Sequence, residues 1–261
     1  MKSPRTVLIT GASSGLGAAL ALEYSGPGQL LFLSGRSSER LLGTAQACRA
    51  LGAEVVTTIV DVGDREATQE WILSSNTARP LDLVIANAGI SAGTGGLTEA
   101  AGEPEEQVRA IFRTNVDGVL NTVLPALDLM RPRGAGQIAI MSSLAGFRGL
   151  PSAPAYCASK AAVKSFGEGL RGAVARAGIE VSVVCPGYVR TPMTDANDFP
   201  MPFMIEADAA ARIIRRGLSH NQSRIAFPWP MVFAVWLLGA LPPALTDGVL
   251  ARLPSKGTGP G

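Results

Sequence analysis

Seven short apolar runs alternate with longer stretches of helical periodicity, and this alternation restricts the fold more than any other feature of the chain. The runs are 6–10 (T-V-L-I-T), 30–34 (L-L-F-L-S), 54–61, 82–86, 137–142, 180–185 and the weaker 224–227 (R-I-A-F). Helical spacing occupies 15–25, 38–51, 64–78, 104–131, 155–177 and 206–218. Runs that are apolar at nearly every position suit strands covered on both faces, as in parallel sheets. The pattern therefore predicts a doubly wound α/β fold, with a parallel sheet of about seven strands and helices on both faces. No repeat or interdomain linker interrupts it, so residues 1–253 read as a single domain and 254–261 (P-S-K-G-T-G-P-G) as a disordered tail.

Composition removes several chemistries. A net charge of +2, with no basic run, gives no reason to expect a nucleic-acid partner. His220 is the one histidine, which argues against metal clusters and against histidine-based nucleophilic catalysis. Cys48, Cys157 and Cys185 are scattered and odd in number, as expected of reduced thiols in a cytoplasmic protein. M-K-S-P-R leads straight into the first strand, so no targeting peptide is expected.

The first strand is followed by T-G-A-S-S-G-L-G, residues 10–17, which opens the first helix. Gly11 suits a tight turn, Gly15 a close backbone approach to a pyrophosphate, and Gly17 helix–sheet packing. Ser13, Ser14 and Leu16 complete a helix N-terminus whose free N–H groups favour an anion. Placed at a first β–α junction, this turn predicts nucleotide binding and a Rossmann-type domain.

The spacing is G-x-x-x-G-x-G, and A-Y-C-A-S-K at 155–160 sets Tyr156 and Lys160 four residues apart. With D-V at 61–62, N-A-G at 87–89, N-V at 115–116, S-S at 142–143 and P-G-Y-V-R-T at 186–191, the chain resembles the short-chain dehydrogenase/reductase family over about residues 5 to 195. The resemblance implies a reversible hydride transfer between a nicotinamide cofactor and a carbonyl or secondary alcohol. It also implies adenine contact by Asp61 and Val62, a ribose approach at Asn87, Ala88 and Gly89, and nicotinamide contacts from Pro186, Gly187, Val189 and Thr191. Asp61 read without the family would cap the following helix, and it can do both.

The second strand ends L-F-L-S-G-R-S, where the family's acidic position falls on Gly35. A carboxylate there would hold the ribose hydroxyl of NAD, whereas Arg36 can fork onto the 2′-phosphate of NADP, with Ser37 adding a hydroxyl. NADP(H) is expected in preference to NAD(H).

On a helix, residues i and i+4 share a face, so Tyr156 and Lys160 point the same way. A free phenol titrates near 10, and bringing it to about 7 needs roughly 4 kcal/mol of phenolate stabilisation, part of it from a neighbouring ammonium. The family pattern makes Tyr156 the general acid/base and Lys160 its partner and a ribose contact. It also makes Ser143 the hydroxyl that holds the substrate oxygen, and Asn115 the holder of a relay water. Ser142 is set aside because alternate strand residues face opposite sides.

Residues 192–205 (P-M-T-D-A-N-D-F-P-M-P-F-M-I) read as an adaptable apolar lid. Met193 and Phe203, with Leu144, Phe147, Leu150 and Pro151 after Ser143, are expected to line an apolar substrate pocket. Within the apolar C-terminal segment, about 228–253, no charged residue occurs until Asp247. Residues 231–241 as a helix would be about 16 Å long, too short for a bilayer core of about 30 Å. This segment suits packing between subunits or over the substrate mouth, in preference to peripheral membrane contact. A homodimer or homotetramer is expected from the resemblance, using 104–131 and 155–177. The competing reading is a cofactor-binding regulatory or membrane-surface protein on the same fold without turnover.

Overall fold

A computed structural model describes residues 3–93, 102–195, 197 and 199–250. The expected tail at 254–261 lies outside them. In chain order the elements are β1 (Thr6–Ile9), α1 (Gly15–Glu23), β2 (Leu30–Gly35), α2 (Ser38–Ala50), β3 (Glu54–Ile59), α3 (Arg65–Ala78) and β4 (Leu83–Ala86). Then follow α4 (Glu105–Phe112), α5 (Gly118–Met130), β5 (Gly136–Met141), α6 (Pro154–Val174), β6 (Ile179–Pro186), α7 (Pro192–Asp195), α8 (Ala207–Ser219), β7 (Arg224–Phe227), α9 (Trp229–Ala240) and α10 (Pro243–Leu250).

The strands form one parallel sheet in the order β3-β2-β1-β4-β5-β6-β7. After the neighbours β1 and β4 the chain leaves to opposite faces of the sheet, towards α1 and α5, which leaves a crevice at the carboxyl edge. Side chains alternate as the strand period demands. Val7, Ile9, Leu83 and Ile85 pack with Leu20, Leu41 and Ile214 on one side of the sheet. Leu8, Val84, Ile138 and Ile140 pack with Ile72, Val123, Leu127 and Val163 on the other. Both faces are covered, which is why these strands are apolar at nearly every position. The edge strand β3 departs from that expectation: Glu54, Val56 and Ile59 are exposed, because no further strand flanks it.

The stretch 104–131 is not one helix. A π turn at Arg113–Asp117 separates α4 from α5. Such turns widen the helix locally and are frequent at functional sites. Here the turn carries Asn115 fully into the interior. The helix α6 starts on Pro154, whose fixed φ suits a first helical position. Its Ala155 N–H donates to the carboxylate of Glu103 at 2.7 Å, so a residue 52 positions earlier holds α6 at its start. Further along, a Cβ on Gly167 would come within 2.6 Å of Val183, so glycine there lets α6 lie close against β6.

Candidate active site

A cleft of ≈ 310 Å³ opens at the carboxyl edge, above the β1–β4 crossover. Gly11, Ser13, Ser14, Gly15, Leu16 and Gly17 form its floor at the start of α1. Gly11 and Gly15 adopt φ of +66° and +55°, a region that glycine enters without strain. The expectation for Gly17 needs sharpening. A Cβ there would meet the Gly11 carbonyl at 2.2 Å and Asn87 Nδ2 at 2.6 Å, so it is the turn itself that leaves no room.

Asn87 and Thr10 lock that turn to β4. Asn87 Nδ2 donates to the carbonyls of Thr10 (2.9 Å) and Gly11 (3.2 Å), and the N–H groups of Asn87 and Ala88 both donate to Thr10 Oγ1 at 3.0 Å. The glycine turn and the Asn87-Ala88-Gly89 segment are therefore one unit. Thr10 was not singled out from sequence, although it precedes the glycines directly.

Arg36 and Ser37 line the outer part of the cleft, joined by Arg40, a second arginine in the first turn of α2. Sequence reading missed Arg40, since its direction depends on where α2 begins. Asp61 lines the cleft too, accepting from the Gly63 N–H at 3.0 Å and pairing with Arg113 at 3.4 Å. It does not cap the next helix. Asp64 does so, accepting from the Ala67 N–H at 3.1 Å. Val62 also borders the cleft, and its carbonyl accepts from Asn121 at 2.9 Å.

The opposite part of the cleft brings together Ser143, Tyr156 and Lys160. Ser143 sits between β5 and a short 3₁₀ turn, Leu144–Phe147, whose Ala145 N–H donates to its Oγ at 3.1 Å. The Ser143 hydroxyl is hydrogen-bonded to the Tyr156 phenol. Ser142, by contrast, donates its hydroxyl to the Lys160 carbonyl at 2.7 Å. Lys160 Nζ donates to the Met141 carbonyl at 3.0 Å and is buried.

The electrostatics differ from the sequence expectation of a depressed phenol. Burial pushes Tyr156 up to about 12, and its hydrogen bond with Ser143 offsets only part of that. Burial lowers Lys160 to about 8. Both charged forms are disfavoured because both groups have left water. The Lys160 ammonium is turned to the Met141 carbonyl and lies 5.8 Å from the Tyr156 ring centroid. The phenol is thus held protonated through neutral pH.

Asn115 stands behind this group rather than in the cleft. Its Oδ1 accepts from the Ile90 N–H at 2.8 Å, and its Nδ2 donates to the Ile90 carbonyl and to Ser159 Oγ, both at 3.0 Å. It therefore ties the segment after β4 to α6. Gly89 lies between: a Cβ there would come within 3.1 Å of Asn115 Oδ1 and 3.3 Å of Lys160 Nζ.

Pro186, Gly187, Val189 and Thr191 border the cleft after β6, with Met193 and the additional Thr194. Thr194 Oγ1 donates to the Val189 carbonyl at 2.7 Å, folding this segment back on itself. The other expected pocket residues lie elsewhere. Leu144 is buried with Val183 and Cys185. Phe147 packs against α9, with the cations of Lys164 and Arg224 at 5.2 Å and 5.3 Å from its ring centre. Phe203 is 59% exposed at φ +57°. Leu150 and Pro151 border a separate shallow hollow with Phe147, Cys157 and Leu250. Of the lid stretch, residues 196 and 198 lie outside the described residues.

This geometry has counterparts among known proteins. The short chain dehydrogenase family model matches residues 5–199. An uncharacterized oxidoreductase of Myxococcus xanthus is 39% identical over 252 residues, covering 96% of this chain and 98% of that one. A short-chain dehydrogenase/reductase of Burkholderia phymatum, solved with NAD, superposes with a TM-score of 0.80 at 26% identity over 97% of both chains. A variant of actinorhodin polyketide ketoreductase, solved with NADPH, gives a TM-score of 0.77 at 25% identity over 89% of this chain and 98% of that one. With the glycine turn, the Asn87 lock and the Ser143–Tyr156–Lys160 group in one cleft, the chain belongs to the short-chain dehydrogenase/reductase family of oxidoreductases.

Proposed function

We propose that the protein interconverts a carbonyl and a secondary alcohol of an apolar small molecule, using NADP(H). The observation that carries this reading is the hydrogen-bonded Ser143–Tyr156 pair in the same cleft as the glycine turn, with Lys160 beside it. The residues fit a dinucleotide. The α1 N-terminus suits the pyrophosphate, Asp61 and Val62 the adenine, and Asn87 to Gly89 with Lys160 the ribose. Pro186, Gly187, Val189 and Thr191 suit the nicotinamide carboxamide. Arg36 and Arg40, with no acid at Gly35, favour a 2′-phosphate over a free hydroxyl. Among the solved relatives, the actinorhodin ketoreductase variant holds NADPH and the Burkholderia protein NAD.

When bound, the nicotinamide supplies or accepts the hydride. Tyr156, kept protonated by burial, gives its proton to the substrate oxygen during reduction. Ser143 donates to the same oxygen and stabilises the charge that grows there. Lys160 places a cation behind the phenol, and Asn115 fixes Ile90 and Ser159 so that this group keeps its shape. Met193 contributes an apolar wall to the cleft. A homodimer or homotetramer and a reducing, cytoplasmic setting accord with this reading; Cys48, Cys157 and Cys185 are buried free thiols.

The test is loss of NADPH absorbance in the presence of apolar ketones and aldehydes, with NADH in parallel. Turnover at least tenfold more efficient with NADPH is expected. Binding of cofactor without turnover of any carbonyl or alcohol would support a regulatory role instead.

A further inference from the structure

The first turn of α6 lacks the side chain that usually closes a helix start. Its N-cap is Ala153, whose methyl group accepts nothing, and Pro154 follows. A helix leaves its first N–H groups without intrahelical partners, and a serine, threonine, asparagine or aspartate normally takes one of them. Here a residue outside the helix does so. Glu103 Oε2 accepts from the Ala155 N–H at 2.7 Å, and an acid is favourable at that end of a helix. Glu103 Oε1 accepts from Gln107 Nε2 at 3.3 Å, and the same Nε2 donates to the Gly93 carbonyl at 3.0 Å. Ile90, Ala92, Ile111 and Ala155 form a small buried cluster, with Val108 packed against it. Glu103 therefore joins three pieces: the segment that continues from Asn87-Ala88-Gly89, the first turn of α4 and the start of α6.

We propose that Glu103 is a positioning residue: by holding the Ala155 N–H it sets where the next residue, Tyr156, presents its phenol to Ser143. This role rests on the catalytic reading of Tyr156. Three observations favour it over a cap that serves stability alone. First, the Ser143–Tyr156 hydrogen bond joins two separately supported pieces. Ser143 is held from the β5 side, where its Oγ accepts from the Ala145 N–H at the opening of the 3₁₀ turn. The phenol meets that hydroxyl only when the first turn of α6 stands in place.

Second, Tyr156 is restrained from both directions along the chain. Its carbonyl accepts from Ser159 Oγ at 2.8 Å, and Ser159 is held in turn by Asn115. Glu103 supplies the restraint on the other side, one residue before the phenol. Third, the rest of α6 has anchors of its own. The Lys160 carbonyl accepts from Ser142, and a Cβ on Gly146 would come within 2.8 Å of that same carbonyl. Gly167 lies against Val183 of β6. Loss of Glu103 would therefore release Tyr156 while Lys160 and the cofactor side of the cleft keep their places. Glu103 itself is only half-buried, so its replacement leaves the core intact.

The experiment labels the full chain with tyrosine carrying ¹³C at Cζ, whose shift follows the hydrogen bonding of the phenol. Tyr156→Phe assigns the Tyr156 signal among the three tyrosines, and Ser143→Ala shows where it falls without its partner. In Glu103→Ala the Tyr156 signal should move towards its Ser143→Ala position, with Tyr24 and Tyr188 unmoved. Glu103→Gln, whose amide oxygen still accepts from Ala155, should stay near wild type. The double variant Glu103→Ala, Ala153→Ser supplies an acceptor at the N-cap itself and should return the signal. Kinetics with NADPH and an apolar ketone run in parallel. A misplacement of about 1 Å can cost about 100-fold in rate, so kcat should fall about tenfold or more in Glu103→Ala. NADPH affinity should stay within about twofold, and both rescuing variants should recover kcat to within about threefold of wild type.

An unmoved Tyr156 signal in Glu103→Ala would overturn the proposal. So would a moved signal with unchanged kcat, an equal loss of kcat and NADPH affinity, or failure of both rescuing variants. A wild type that turns over no carbonyl would sink the catalytic reading instead, and the Tyr156 signal would still decide whether Glu103 places the phenol.

Discussion

Lys160 donates a hydrogen bond to the Met141 carbonyl at 3.0 Å while its nitrogen lies 5.8 Å from the centre of the Tyr156 ring. A buried ammonium is thus satisfied by the end of β5 and still faces the phenol it serves. Burial is costly for it, and the cost depends on pH. Lys160 titrates at about 8 in the folded protein against 10.5 for the free group. Between these values the unfolded chain keeps the proton and the folded one releases it, so wild-type stability rises with pH there. Lys160→Met lacks that gain. Its stability relative to wild type, measured by urea unfolding, should be greatest below pH 8 and should fall by roughly 2–3 kcal/mol as pH approaches 10.5. Tyr156, raised from 10 to about 12, acts the other way and only above pH 10.

Gly17→Ala puts a Cβ where the Gly11 carbonyl and Asn87 Nδ2 already stand, at 2.2 Å and 2.6 Å. The turn must open, and with it the N–H groups of α1. Calorimetric titration with NADPH should show affinity reduced at least tenfold, with the seven-stranded fold retained by circular dichroism.

If Arg36 and Arg40 hold a 2′-phosphate, as proposed, they separate the two cofactors. A charge-assisted hydrogen bond contributes about 1.5–3 kcal/mol, so Arg36→Ala should raise the KM for NADPH by about 10- to 100-fold. The KM for NADH should change by less than about threefold, since no phosphate contact is lost. Arg40→Ala should act in the same direction. Equal losses for both cofactors would assign the arginines to general charge attraction.

Asn115→Ala removes three buried hydrogen bonds and leaves the N–H and carbonyl of Ile90 unpaired. An unsatisfied buried group costs about 1–3 kcal/mol, so a stability loss of about 2–4 kcal/mol is expected from denaturant titration.

Much of the fold was legible because both faces of five strands are buried, and residues such as Val7 and Leu8 must each be apolar for opposite cores. The cleft-lining residues were legible where function demands a residue type at a fixed spacing, as in Gly11-Gly15-Gly17 and Tyr156-Lys160. The rest depends on tertiary packing. Nothing local marks the π turn at Arg113–Asp117, since it exists to bring Asn115 to Ile90 and Ser159. The Glu103 contact with Ala155 spans 52 residues and has no sequence period. Leu144, Phe147 and Phe203 read as pocket residues from hydrophobicity alone. The first two instead serve the seat of α9, and the third faces solvent.

If Tyr156 is the proton donor of a reductase, as proposed, turnover depends on its hydroxyl. The most direct measurement compares wild type with Tyr156→Phe for NADPH oxidation by apolar ketones, with NADPH affinity measured on the same samples. The phenylalanine keeps the buried ring and removes the hydroxyl. Turnover should fall by about 10²- to 10⁴-fold, the span of general acid catalysis, with NADPH affinity within about threefold of wild type. Retained turnover in Tyr156→Phe would contradict the account.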